Sequence, residues 1–126
     1  MKYYESFLWK HFHRNTKFQI KLAPPQYLKV PLREYQLVGI DWMAAVCRPG
    51  MGCILADATG LGKKVQTIGF LAHLASECGS WGPHLVVMPT CYMLAWEVEL
   101  EKCFPACRTF VYYGEAGRRR KLRKVR

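Results

Sequence analysis

Gly52-Cys53-Ile54-Leu55-Ala56-Asp57-Ala58-Thr59-Gly60-Leu61-Gly62-Lys63-Lys64 is the stretch on which the reading of this chain turns. It opens as a short apolar run that ends on a charge, the pattern of a buried strand. A glycine-rich turn follows, and then an amphipathic segment over about 63–77 with Ile68, Leu71 and Ala75 on one side. In such a strand–turn–helix the backbone N–H groups of the turn converge on an anion, and the N-terminal end of the helix adds its positive pole. Gly60 and Gly62 permit the backbone angles and the close approach that this needs. Lys63 stands where an ammonium reaches the β- and γ-phosphates of a nucleotide. A lone Gly-x-Gly carries little weight, and an ordinary tight turn is the bland reading. The strand before it and the helix after it favour a phosphate loop.

Working outward, Leu37, Ile40, Ala44 and Cys47 recur at helical spacing upstream, with Pro31 at a natural start and Pro49-Gly50 at a natural stop. Downstream, Trp81-Gly82-Pro83 breaks the chain, and His84-Leu85-Val86-Val87-Met88 reads as a second strand closed by Pro89. Met93, Trp96 and Leu100 mark a further helix that ends near Pro105, with Trp96 reading as core. Thr109-Phe110-Val111-Tyr112-Tyr113 reads as a third strand before Gly114. From residue 32 the order is αβαβαβ, which predicts an α/β fold with a parallel sheet and right-handed crossovers. Residues 1–31 stand apart, with seven aromatics (Tyr3, Tyr4, Phe7, Trp9, Phe12, Phe18, Tyr27), an irregular helical pattern over 5–13 and a Pro24-Pro25 breaker. Their mix of aromatic and basic residues allows base stacking. An appendage packed on the domain, or a poorly ordered extension, accounts for it more simply.

Composition sets the outer limits. The chain has 126 residues, 51% of them hydrophobic, which suffices for one small domain and not for a complete two-domain motor or a transporter. The formal charge of +10 is uneven: seven of the nine residues 118–126, RRRKLRKVR, are basic, and the remainder carries twelve basic against nine acidic residues. That run reads as a solvated helix face, a nuclear-import signal or a phosphate-binding patch. The six cysteines show no Cys-x-x-Cys pair, and His11 and His13 are the only other close pair of metal-ligand type, so no structural metal is expected. The N-terminus has no leader pattern and no stretch approaches the ~20 apolar residues of a membrane span. The expectation is a reduced intracellular protein with free, mostly buried thiols. No Ser-His-Asp or Cys-His constellation supports hydrolase chemistry.

These residues together resemble the first lobe of the Snf-type helicase-like ATPases, and within them the SWR-type (SRCAP-like) chromatin remodellers. Leu32-Arg33-Glu34-Tyr35-Gln36 through Trp42 is similar to the family's opening adenine-reading segment. Ile54-Leu55-Ala56-Asp57, Gly60-Leu61-Gly62-Lys63 and Gln66-Thr67 are similar to its phosphate loop, and Leu85 to Pro89 with Trp96-Glu97 to the motif near the DNA backbone. The likeness spans about 32–124. It implies a RecA-like three-layer parallel sheet, present as a truncated, partial lobe over 32–117 between the extension 1–31 and the basic tail 118–126. It further implies ATP as cofactor, held by Gln36, Asp57, Ala58, Thr59, Gly60, Leu61, Gly62, Lys63 and Lys64, and a DNA-phosphate contact from Thr90. The charge density of Arg118, Arg119, Arg120, Lys121, Arg123 and Lys124 by itself predicts salt-sensitive, sequence-blind binding to DNA or RNA. Chromatin and the subunits of a remodelling complex would be the partners, in the nucleus and away from membranes.

Two departures bear on function. The family has Thr or Ser after the loop lysine, and Lys64 stands there instead. The lost hydroxyl is a magnesium ligand, and an ammonium repels the metal. The family's next acidic residue after Asp57 is Ala58 here. The family's acidic metal-binding motif and its second lobe lie beyond the matched segment. The expectation is a partial ATP-binding lobe, with nucleotide binding weak or vestigial and no hydrolysis by this polypeptide alone. The alternatives are a non-catalytic nucleic-acid-binding or decoy module, or a decayed copy.

Overall fold

The computed structural model describes residues 22–47 and 51–124. The helix expected over 5–13, the His11/His13 pair, the Pro49-Gly50 stop and the last two residues of the tail lie outside them. The order is α1 (Glu34–Cys47), α2 (Lys63–Glu77), a 3-10 turn (Thr90–Tyr92), α3 (Met93–Cys103) and α4 (Ala116–Leu122).

α1 starts after Arg33, whose carbonyl accepts from the N–H groups of Gln36 and Leu37 at 3.0 and 3.1 Å. The Arg33 N–H donates back to Gln36 Oε1 at 3.0 Å. That is half of a capping box, with the glutamine three residues into the helix closing an otherwise unpaired donor. Gln36, Ile40, Met43 and Ala44 form its buried stripe.

α2 is the central element, since it packs against α1 on one side and α3 on the other. Its sequence carries two stripes. Gln66, Gly69 and His73 are buried at helical spacing, and so are Ile68, Ala72 and Ala75. The first stripe includes the contact with α1: a Cβ on Gly69 would stand 2.6 Å from Ile40 Cδ1, so the missing side chain is what lets the two helices close. The second stripe joins Cys103 and Phe104 in the core, with Val65, Leu71, Trp96 and Leu100 packed around it. Tyr27, Leu28 and Val30 cover the same cluster, and Lys29 N–H donates to Cys103 C=O at 2.8 Å. Tyr27, Trp81 and Phe104 bring their rings within 5.0–6.4 Å of one another. The end of the N-terminal segment is thus a packed appendage of the helical core.

The parallel sheet is where the expected fold is corrected. No strand occurs among the described residues, and the expected RecA-like three-layer sheet is absent from them. The three segments read as strands, 52–57, 84–88 and 109–113, run outside regular structure. No backbone hydrogen bond among the described residues joins one of them to another. The first two keep the side-to-side alternation of a strand: Ile54 and Ala56 are exposed between the half-buried Cys53, Leu55 and Asp57, and Leu85 and Val87 are exposed beside the half-buried Val86 and Met88. An apolar run dictates extension and a wish for burial, but a strand exists only when a second backbone supplies the ladder. Leu85 is 88% exposed and Val87 84%, so these runs are unburied as well as unpaired.

The cysteines also differ from expectation. All six are free thiols, but only Cys103 is buried, and Cys78 and Cys91 are exposed. Burial raises the Cys103 thiol above its usual range, and the hydrogen bond it donates to Glu99 Oε1 at 3.5 Å adds to this.

Packing therefore resides in the helices and the 22–30 segment. Phe104→Ala is expected to cost about 3–5 kcal/mol. Leu85→Ala is expected to stay within about 0.5 kcal/mol, because its side chain is already in water. Urea denaturation followed by circular dichroism checks both, and a large loss at Leu85 would show that 84–88 is packed.

Candidate nucleotide site

The loop 57–62 joins the helix α2 that the sequence predicts to an extended segment that is not the strand expected there. Gly60 and Gly62 both take left-handed angles, φ 91° and 78°, which a side chain disfavours. Gly62 is the N-cap of α2, and no side chain caps that end. The first intrahelical bond runs from Gln66 N–H to Gly62 C=O at 3.0 Å. The N–H groups of Lys63, Lys64 and Val65 ahead of it form the anion-attracting first turn. No acidic residue stands in that turn to compete.

Lys63 leads back over the loop. Its Nζ donates to Asp57 C=O at 2.8 Å and to Ala58 C=O at 3.0 Å. An ammonium has three donors, so the lysine both braces the loop and keeps one proton for a ligand. Lys64 is half-buried at the second position of α2, and Thr59 is exposed at the loop tip.

The strongest feature lies beneath the loop, at the Leu61 carbonyl. Tyr35 Oη donates to it at 3.1 Å and Gln36 Nε2 at 3.2 Å, both from the first turn of α1. Gln66 Nε2 approaches the same oxygen at 3.5 Å, the limit of hydrogen-bond distance, and donates to Asp57 Oδ2 at 2.9 Å. Gln36 is 8% exposed and Gln66 is fully buried. The adenine-reading role placed on Gln36 thus falls on an amide already engaged at both ends, with Oε1 on Arg33 N–H and Nε2 on Leu61 C=O. One proton of its NH2 and one lone pair of its oxygen stay available for a base edge.

Of the sequence-derived candidates, the structure gathers Gln36, Asp57, Ala58, Thr59, Gly60, Leu61, Gly62, Lys63 and Lys64 around this one turn. It does not bring the nucleic-acid candidates into that cluster. Thr90 is exposed at the head of the 3-10 turn before α3. Arg118, Arg119, Arg120 and Lys121 are exposed on α4, with Arg123 and Lys124 just past it, and α4 packs on no other helix among the described residues. Gln66 belongs to the loop motif, but the sequence alone assigns it no role. Its signal was a polar residue on the α2 face that turns toward α1.

At the position after the loop lysine, Lys64 offers an ammonium and no hydroxyl to a magnesium ion. No group of three or more His, Cys, Asp or Glu side chains that could hold a metal occurs among the described residues. No helix among them is long and apolar enough to cross a membrane.

Residues 35–126 match the family model described as SNF2-related domain. Helicase ssl-1 of Caenorhabditis elegans is 46% identical over 106 residues, 84% of this chain and 4% of the relative. Helicase swr1 of Emericella nidulans is 49% identical over 105 residues, 83% of this chain and 6% of the relative. Helicase domino of Drosophila melanogaster is 48% identical over 101 residues, 80% of this chain and 3% of the relative. The chain therefore spans only a few per cent of the length of these relatives.

Gly62 is the steric key of the turn, because a Cβ there would stand 2.5 Å from Gln36 Nε2 in addition to the cost of its φ. Gly62→Ala is expected to destabilise the fold by about 1–2 kcal/mol. Gly52→Ala, with open space around it, is expected to change stability by less than about 0.5 kcal/mol. Thermal unfolding of the two variants beside the parent chain checks the contrast.

Proposed function

The chain belongs to the SNF2-related domain family, and on that premise we propose that it is the nucleotide-cradling part of an SWR-type, DNA-dependent chromatin-remodelling ATPase lobe. The observation that carries this reading is the turn 57–62. It joins two left-handed glycines, an uncapped N-terminus of a 15-residue helix and a lysine amine folded over the loop carbonyls.

A polyphosphate entering the turn meets the N–H groups of the first turn of α2 and the free proton of Lys63 Nζ. Its negative charge draws the ammonium away from the Asp57 and Ala58 carbonyls. ATP is the ligand we assign, with the adenine edge at Gln36. Hydrolysis would further require a held metal and cations for the transition-state charge. Lys64 works against the first requirement, so this polypeptide by itself binds nucleotide without turning it over. The segment acts in the nucleus, with chromatin and the other subunits of a remodelling complex as partners.

Isothermal titration with ATP checks the nucleotide reading. Lys63→Ala is expected to weaken binding by about tenfold or more, the loss of one charge-assisted bond. Lys64→Thr is expected to strengthen binding only when magnesium is present. Equal affinity in the parent and both variants would show that the turn holds no phosphate.

A second reading rests on the tail. Arg118, Arg119, Arg120, Lys121, Arg123 and Lys124 cluster on and just beyond one exposed helix, and like charges so close are relieved by a polyanion. We assign them, with Thr90, to sequence-blind contact with the phosphates of DNA. Duplex affinity should fall by up to about a thousandfold between about 50 and 200 mM salt if all six cations engage. An affinity that did not weaken with salt would remove this reading.

A further inference from the structure

Gln66 is one of the largest fully buried side chains among the described residues, and it is polar. Its amide faces two different surroundings. Nε2 is turned to the loop, where Asp57 Oδ2 and Leu61 C=O lie. Both of these are acceptors, so only the NH2 end can face them. The oxygen is thereby forced toward α1, where it has no hydrogen-bond partner. What it meets there is Gly39: a Cβ built on that residue would overlap Gln66 Oε1 and come within 3.3 Å of its Cδ. The orphaned oxygen is therefore the consequence of holding the loop, and the bare Cα of Gly39 is what leaves room for it.

We propose that Gln66 is the positioning residue of the phosphate loop, and that Gly39 is the seat that fixes its amide. Through this amide the α1/α2 joint sets where Asp57 and Leu61 stand, and with them the turn that receives the phosphate. The relevance to nucleotide rests on the function proposed above. The positioning itself is a property of the loop and is read without any ligand.

The test is hydrogen–deuterium exchange of the full chain with no nucleotide present, followed at the amides of 57–62 and, as a reference, at those of α3. Gln66→Met keeps the volume and removes the amide. It is expected to speed exchange in the loop by about tenfold, the loss of one well-made hydrogen bond, while α3 changes by less than about twofold. Gly39→Ala is expected to act in the same direction, by pushing the amide off its seat. Loop exchange unchanged in Gln66→Met would overturn the proposal.

Should Gln66→Met accelerate exchange in α3 as well, Gln66→Glu decides. As a carboxylate it faces Asp57 and opens the loop; once protonated it donates as the amide did. Its loop protection, corrected for intrinsic rates, should return between about pH 8.5 and 5.5 while the parent's stays level. A role in packing alone would show no such return, and its absence would overturn the proposal. An ATP titration of the parent chain separates the two readings. Loop loosening in Gln66→Met with no ATP bound by the parent leaves the positioning intact and removes the nucleotide function.

Discussion

One carbonyl oxygen organises this molecule. Leu61 C=O sits at the turn between an extended segment and α2, and it collects a tyrosine hydroxyl and a glutamine amide from α1 and a second glutamine amide from α2. A carbonyl has two lone pairs, so its three neighbours cannot all be strong partners, and the distances of 3.1, 3.2 and 3.5 Å express that ranking. The arrangement welds the loop to both helices. It also ties the start of α1 to the loop, because Gln36 closes the Arg33 cap with one end of its amide and reaches Leu61 with the other. The same two helices also meet further along, where Ile40 lies against Gly69.

The loop and the helices were legible in the sequence for local reasons. Glycines at 60 and 62, a lysine directly after and an amphipathic period beyond are all signals within a dozen residues. α2 spans Lys63–Glu77, as its period predicts. The stripe on α1 was legible only in part, because Leu37 and Cys47 prove half-buried while Gln36 and Met43 take their place inside. A polar residue within an apolar stripe is invisible to a count of hydrophobic positions, and the burial of Gln66, whose place in the loop motif is visible, is hidden for the same reason. Both glutamines are buried because the backbone of the loop needs donors, a demand that arises only once two distant segments meet.

The sheet failed for the opposite reason. Extension and alternation are local, and 52–57 and 84–88 display both. Pairing is not local. Ile54-Leu55, Leu85 to Val87 and Phe110-Val111 announce that a backbone neighbour is wanted, and the described residues supply none. Stability then falls to helix-on-helix packing, with Phe104 at its centre and Tyr27 and Trp81 folded over it. The segment around Tyr27, set apart in the sequence by its irregular pattern, turns out to complete that core.

The two glutamine–glycine contacts have a consequence in evolutionary time. Gln36 lies against Gly62 and Gln66 against Gly39, each long side chain filling the space that a missing Cβ leaves on the opposite element. In each pair the constraint runs one way: the glycine has no room for a side chain while the glutamine holds its place. Position 39 accepts a methyl group only after position 66 has shortened, and position 62 only after position 36 has moved aside and a new backbone angle is found. The less disruptive order of substitutions is thus set by the joint. Loss of the glutamine opens the space first, and the glycine can then be replaced with less displacement of the loop.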